Sequence, residues 1–86
     1  MRPRHTTIYT LYANTADPLP GAWSSSAAED WQYRVYRTRR AAEGMIRHLT
    51  ERGLSGDLWR GVMVERADGS ASGCMSERTW TWGGKR

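Results

Sequence analysis

The chain is 86 residues long, carries a net charge of +4 and contains one cysteine, Cys74. A chain of this size buries about 60–65% of its unfolded surface in one thin core, which leaves no room for two domains and disfavours a deep, water-excluded active site. One cysteine excludes an intramolecular disulfide, no apolar run near the N-terminus resembles a signal peptide, and no stretch approaches the ~20 apolar residues that span a bilayer; a cytoplasmic protein without a membrane partner is expected.

Thirteen basic residues stand against nine acidic ones, and all the basic residues but Lys85 are arginine. Codon bias in a GC-rich genome is one source of such a skew. The other is recognition of phosphate or carboxylate, to which the planar guanidinium fork is better suited than an ammonium. A charge of this size alone implies only nonspecific attraction to polyanions.

Residues 1–5 make a basic arm holding Arg2 and Arg4, with nothing apolar to tie it down. Residues 6–13, TTIYTLYA, are β-branched and aromatic and predict a first strand. Residues 14–30 follow as a long connector broken by Asp17, Pro18, Pro20, Gly21 and three serines; connectors of this length in small domains are functional or mobile. Within it, Ser26 and Glu29 have capping-box spacing, which predicts one helical turn.

A second strand is expected over residues 31–37. Alternation places Trp31, Tyr33, Val35 and Arg37 on the face under a helix and Gln32, Arg34 and Tyr36 on the other. Arg34 and Tyr36 then form a candidate stacking pair for a nucleic-acid base, with Tyr9, Trp59 or Trp82 as further rings; the plainer reading is a solvated sheet face.

Thr38 is the expected N-cap of a helix whose Ala42, Met45, Ile46 and Leu49 form one apolar stripe, and Gly53 is the left-handed residue that ends it. Arg39 and Arg40 fall in the first turn, where the helix dipole disfavours cations by roughly 0.3–1 kcal/mol each. Pairing along the four-spaced series Arg39, Glu43, Arg47 and Glu51 offsets that cost. Alternatively, both forks and the free N–H groups of the turn hold a phosphate or carboxylate, with Arg40, which has Gly44 four residues on, as the ligand residue.

Residues 58–66 predict a third strand, and Asp68-Gly69 a two-residue hairpin turn. In that register Val62 faces Met75, Met63 faces Cys74 and Arg60 faces Glu77. The fourth strand runs through Thr79 to Trp82, and residues 83–86 form a flexible basic tail. The expected fold is a single α+β domain of order ββαββ, a mostly antiparallel four-stranded sheet with one helix on one face.

No catalytic constellation emerges. His5 and His48 are too far apart for a metal site or an acid–base pair, and His48 reads as a half-buried packing residue beside the helix stripe. Cys74 reads as a small apolar strand residue without a nearby histidine. Asp57, Glu65, Asp68 and Glu77 lack paired-carboxylate spacing, and Gly53, Gly56 and Gly61 do not make a phosphate loop. A non-enzymatic protein with no cofactor and no metal is expected.

Trp23, Trp31, Trp59, Trp80 and Trp82 exceed what one short helix covers, since each buries about 150–250 Å2. Some are expected at the surface, and Trp80 and Trp82 share one strand face. Exposed Trp with Arg is the composition of protein–protein hot spots. The alternative is a second small cluster made when the connector folds over the open sheet face.

The stretch YRVYRTRRAAEGMIRHLTERG followed by DLWRGVMVE, within Tyr33 to Glu65, resembles small accessory proteins of actinobacteria and their phages. The resemblance implies a role in binding a host macromolecule, inhibition of defence systems such as CRISPR complexes included, and carries over no residue roles. The expected function is therefore non-enzymatic docking on a host protein or ribonucleoprotein through Trp23, Arg34, Tyr36, Arg39, Arg40, Trp59, Trp80 and Trp82. The second hypothesis is direct nucleic-acid binding by Arg34, Tyr36, Arg39, Arg40 and the basic termini.

Overall fold

In the computed structural model, which describes residues 3–84, helix α1 (Arg39–Glu51) starts and stops where its sequence places it. The hydroxyl of Thr38 accepts the N–H of Ala41 at 3.1 Å, satisfying one free donor of the first turn. At the other end Gly53 takes φ +85°. Its N–H donates to the Thr50 carbonyl and that of Leu54 to the Leu49 carbonyl, a doubly bonded left-handed stop. Leu54 leaves this turn packed against the core. Ala42, Ile46 and Leu49 are buried. His48 is exposed rather than half-buried, because its position turns it roughly 100° from the stripe centre.

Five strands, β1 (Arg4–Asn14), β2 (Ser24–Ser25), β3 (Trp31–Tyr36), β4 (Ser55–Glu65) and β5 (Ala71–Gly83), form one antiparallel sheet in the order β2-β3-β1-β4-β5. The α+β class with one helix on one face holds, but there are five strands rather than four, in chain order βββαββ. The added strand, β2, comes from the connector. Ser26 there caps no helical turn: its hydroxyl accepts the Ala28 N–H, its own N–H bonds the Trp31 carbonyl at 2.9 Å, and Asp30 takes φ 64°. These local bonds close a hairpin into β3, since short polar side chains offer the backbone an alternative to helix. β1 begins at Arg4, so Arg4 and His5 of the expected arm pair with Glu65 and Val64. Met1, Arg2, Lys85 and Arg86 lie outside the described residues.

The β4–β5 turn holds three residues rather than two. Glu65 pairs with Ala71, the Arg66 N–H reaches the Ser70 carbonyl at 2.8 Å, and Gly69 takes φ +90°, the pattern of a turn closed by a left-handed glycine. Val62 therefore pairs with Cys74 and Met63 with Gly73, one place away from the expected register. Ser76 is then an extra residue on β5, and the slip it introduces returns Arg60 opposite Glu77, as expected, in an ion pair. Thr79 is a second extra residue. Both bulged residues turn a hydroxyl into β4: Ser76 donates to the Arg60 carbonyl at 2.8 Å and Thr79 to the Leu58 carbonyl at 3.1 Å. Side chains thus satisfy acceptors beside the two breaks in the ladder.

The core lies between α1 and one sheet face. Leu11, Ala13, Leu58 and Trp82 meet Ala42, Ile46 and Leu49, and Leu19 closes the margin from the connector. A side chain at Gly56 would strike the Tyr12 carbonyl and the Trp82 ring, so glycine lets that indole lie against β4. The connector is tied down by Gln32, whose amide donates to the carbonyls of Thr15 and Asp17 at 2.9 and 2.7 Å.

The orientation of β3 is the reverse of that expected. Leu11 pairs with Arg34 and Tyr9 with Tyr36; Arg34 and Tyr36 therefore share the helix side, and Trp31, Tyr33 and Val35 the open side. Alternation says which residues share a face, not which face is covered. Here β1 decides it, because Leu11 and Ala13 lie under α1. Arg34 is accommodated at the helix margin, its guanidinium carbon 5.2 Å from the Tyr36 ring centre.

Candidate binding face

The other face of the sheet carries no helix. Down its middle run Ile8, Thr10 and Tyr12 of β1, flanked by Trp31, Tyr33 and Val35 of β3, by Asp57, Trp59 and Met63 of β4, and by Met75 of β5. Ile8 and Thr10 are 3% and 2% exposed even so; larger neighbours roof them, and the Thr10 hydroxyl finds no hydrogen-bond partner among the described residues. Val35 is 46% exposed, and the aromatic and methionine side chains around it are half-buried. The result is an apolar trough in place of the polar outer face that antiparallel sheets commonly present.

Two depressions make up the trough and share Tyr12, Ser26 and Met75. One is a cleft of about 350 Å3 between Tyr12, Trp31 and Trp59, with Asp57, Met75 and, from the β2–β3 hairpin, Ser26 and Ala28 completing its wall; Ser25, Ser26 and Ala27 of the same hairpin line the other. Tyr12 leans on Tyr33, ring centres 5.8 Å apart and tilted by 42°. Burial, and then the neighbouring Tyr33, push the Tyr12 phenol above its ordinary range, which keeps it a neutral hydrogen-bonding group. The Asp57 carboxylate accepts from the Thr81 hydroxyl at 3.2 Å. Glu29 and Asp30 border Trp31 from the hairpin loop.

The side chains singled out from the sequence do not converge on this face. Trp59 lies on it. Trp23 packs on the helix-side core instead, its indole N–H donating to the Pro20 carbonyl at 3.1 Å. Arg34 and Tyr36 sit together on the helix side, where burial raises the Tyr36 phenol and the Arg34 charge partly opposes that rise. Arg39 pairs with Glu43 at 2.7 Å, and Arg40 is exposed with no ion-pair partner among the described residues. Trp80 is 40% exposed beside Glu43, Ile46, Arg47 and Thr50 of α1. Trp82, on the same face of β5, is 2% exposed and belongs to the core, so it is removed from any docking surface.

No family model, curated protein or solved structure matches the chain. Its chemistry therefore rests on its own residues.

Tyr12, Trp31, Tyr33, Met63 and Met75 escaped the sequence reading as surface residues. One signal for them was present: residues 6–13 are apolar or β-branched on both alternating faces, the pattern of a central strand that needs cover on both sides. Among the described residues no group of three His, Cys, Asp or Glu side chains is placed to hold a metal ion, and no helix is long and apolar enough to cross a membrane.

Proposed function

We propose that the chain is a small non-enzymatic binding protein that docks on a host protein or ribonucleoprotein through the open face of its sheet. The carrying observation is the apolar trough of Tyr12, Trp31, Tyr33, Trp59, Met63 and Met75, which no helix covers and which Ser25, Ser26, Ala27 and Ala28 of the β2–β3 hairpin border. Aromatic residues and methionine are enriched at interface cores, and methionine adapts its shape to a partner. Contiguous apolar surface of this kind marks interaction sites. With the resemblance to phage accessory proteins, the partner class is a host complex such as a CRISPR effector.

The test is affinity capture from nuclease-treated host lysate with three baits: the wild-type chain, a Trp59→Ser/Met75→Asp variant and a Trp80→Ala variant. The proposal expects one host component recovered by the first and third and reduced at least tenfold with the second. Recovery unchanged by the open-face substitutions, in a variant shown to be folded, overturns it.

Direct nucleic-acid binding is the second reading. It is supported by the corner at the start of α1, where Arg37, Arg39 and Arg40 are exposed and no acidic residue occupies the first turn. Phosphate contacts weaken steeply between about 50 and 200 mM salt, whereas an aromatic-centred protein interface does not. The acidic border of the aromatic cleft weighs against placing a polyanion there.

A further inference from the structure

The cleft between Tyr12, Trp31 and Trp59 has a composition that a plain apolar docking surface does not need. Three aromatic side chains and a carboxylate line one space of about 350 Å3. Register explains how they meet: Tyr12 lies directly between Tyr33 and Asp57, Trp59 is one strand position along from Asp57 on the same face, and Trp31 stands opposite Asn14, the next same-face residue of β1. The open face therefore delivers rings from three strands, β1, β3 and β4, and a negative charge from β4, to one point.

Electrostatics select the occupant. The faces of indole and phenol rings carry partial negative charge and attract a cation within about 6 Å of the ring centre. Asp57 adds a full negative charge, with Glu29 and Asp30 beyond Trp31. No basic side chain pairs with Asp57 among the described residues; the ion pairs there are Arg39–Glu43 and Arg60–Glu77. Arg78, opposite Trp59 in the register, does not line the cleft. In a chain of net charge +4, the acidic surroundings of these rings are complementary to a cation and hostile to phosphate.

We infer that this cleft is a cage for an arginine side chain of the partner protein, the guanidinium plane lying on an indole and its N–H groups donating to Asp57. Arginine is favoured over a quaternary ammonium because the site offers a hydrogen-bond acceptor, and over lysine because a planar, weakly hydrated cation stacks on rings while bonding a carboxylate in its own plane. The inference rests on the open face being the docking surface and names the group that face receives.

The probe is Nα-acetyl-arginine methylamide, titrated at constant ionic strength into the full-length, 15N-labelled chain and followed by the indole N–H resonances of Trp31 and Trp59. The neutral citrulline derivative, an isostere of arginine without its charge, is the control. Saturable shifts at both indoles are expected, with arginine at least tenfold tighter than citrulline, Asp57→Asn and Trp59→Ala each weakening binding at least fivefold, and Trp80→Ala leaving it unchanged. Trp59→Phe keeps a ring in place and retains most of the binding, separating loss of the cage from loss of fold. Equal affinity for arginine and citrulline, or no saturable shift from either, overturns the cage. Concentration-dependent shifts of the same indoles without a probe assign the cleft to a second copy's arginine and overturn the partner assignment. The docking reading is scored separately: a false cage leaves capture sensitive to Trp59→Ser/Met75→Asp, whereas capture insensitive to that variant defeats the docking surface even if the probe binds.

Discussion

The two faces of the sheet are built from the same strands and similar residues, yet one is a core and the other a surface. On the helix side Leu11, Leu58 and Trp82 are 0%, 0% and 2% exposed beneath α1 and the connector. On the open side Ile8 and Thr10 are as deeply buried, but what surrounds them is a single tier of half-buried rings and methionines, with Ser25, Ser26 and Ala27 of the β2–β3 hairpin beside it. Coverage, more than composition, separates the two. Strands apolar on both faces are characteristic of sheets packed on both sides, so the open face has the make-up of a core that lacks a helical layer.

Substitutions that distinguish a completed core from an uncovered one test this contrast most strongly. Trp82→Ala is expected to cost about 3–5 kcal/mol by emptying the space under α1, a large part of the roughly 5–15 kcal/mol that holds a small domain together. Trp59→Ala removes a ring of the same size that is only half-buried, and is expected to cost roughly half as much, about 1.5–2.5 kcal/mol. Urea unfolding followed by circular dichroism measures both, and equal losses would erase the distinction between the faces. A smaller effect is expected at the helix start, where Thr38→Ala removes the acceptor for the Ala41 N–H and lowers stability by about 1 kcal/mol. Smaller again, and opposite in sign, is Gly44→Ala: a methyl group there meets nothing within 4 Å, so the gain in helix propensity, about 0.5–1 kcal/mol, appears as a higher unfolding midpoint.

Apart from the burial of His48, the helix was legible in the sequence because its signals are local: Thr38 at one end, Gly53 at the other and the stripe through Ala42, Ile46 and Leu49 each act within a few residues. The hairpin between β4 and β5 was legible in part. Asp68 and Gly69 marked the turn, but a two-residue and a three-residue loop share that dipeptide, and the slip was cancelled farther on by the bulge at Ser76, a feature stabilised by a cross-strand bond that no local pattern announces. The candidate site was the least legible. Whether Trp31 and Tyr33 or Arg34 and Tyr36 lie under α1 depends on the pairing of β3 with β1, a contact between residues about 20 positions apart, and a one-residue slip exchanges the two sets completely. Grouping Trp23, Trp59, Trp80 and Trp82 with the arginines therefore joined residues from opposite faces and left out Trp31.

The smallest expected effect bears on whether the helix side also binds. Arg40 lies in a first turn that holds no acidic residue, so its charge opposes the dipole. Arg40→Glu reverses that term, a swing of about 0.6–2 kcal/mol from twice the usual dipole contribution. Against it, the new carboxylate stands three residues before Glu43, which exchanges a weak attraction for a weak repulsion of about 0.2–0.5 kcal/mol each way. A net gain near 0.5 kcal/mol is expected at low salt, fading as added salt shortens the screening length from about 10 Å at 0.1 M to 3 Å at 1 M. Thermal unfolding of both proteins at the two salt concentrations reads that gain. If the more stable variant keeps full affinity for the captured partner, the helix corner lies outside the interface and the open face accounts for binding alone. If affinity falls while stability rises, Arg40 is a contact residue, its unfavourable position offset by the partner, and the interface extends around the β3 edge on to the helix side.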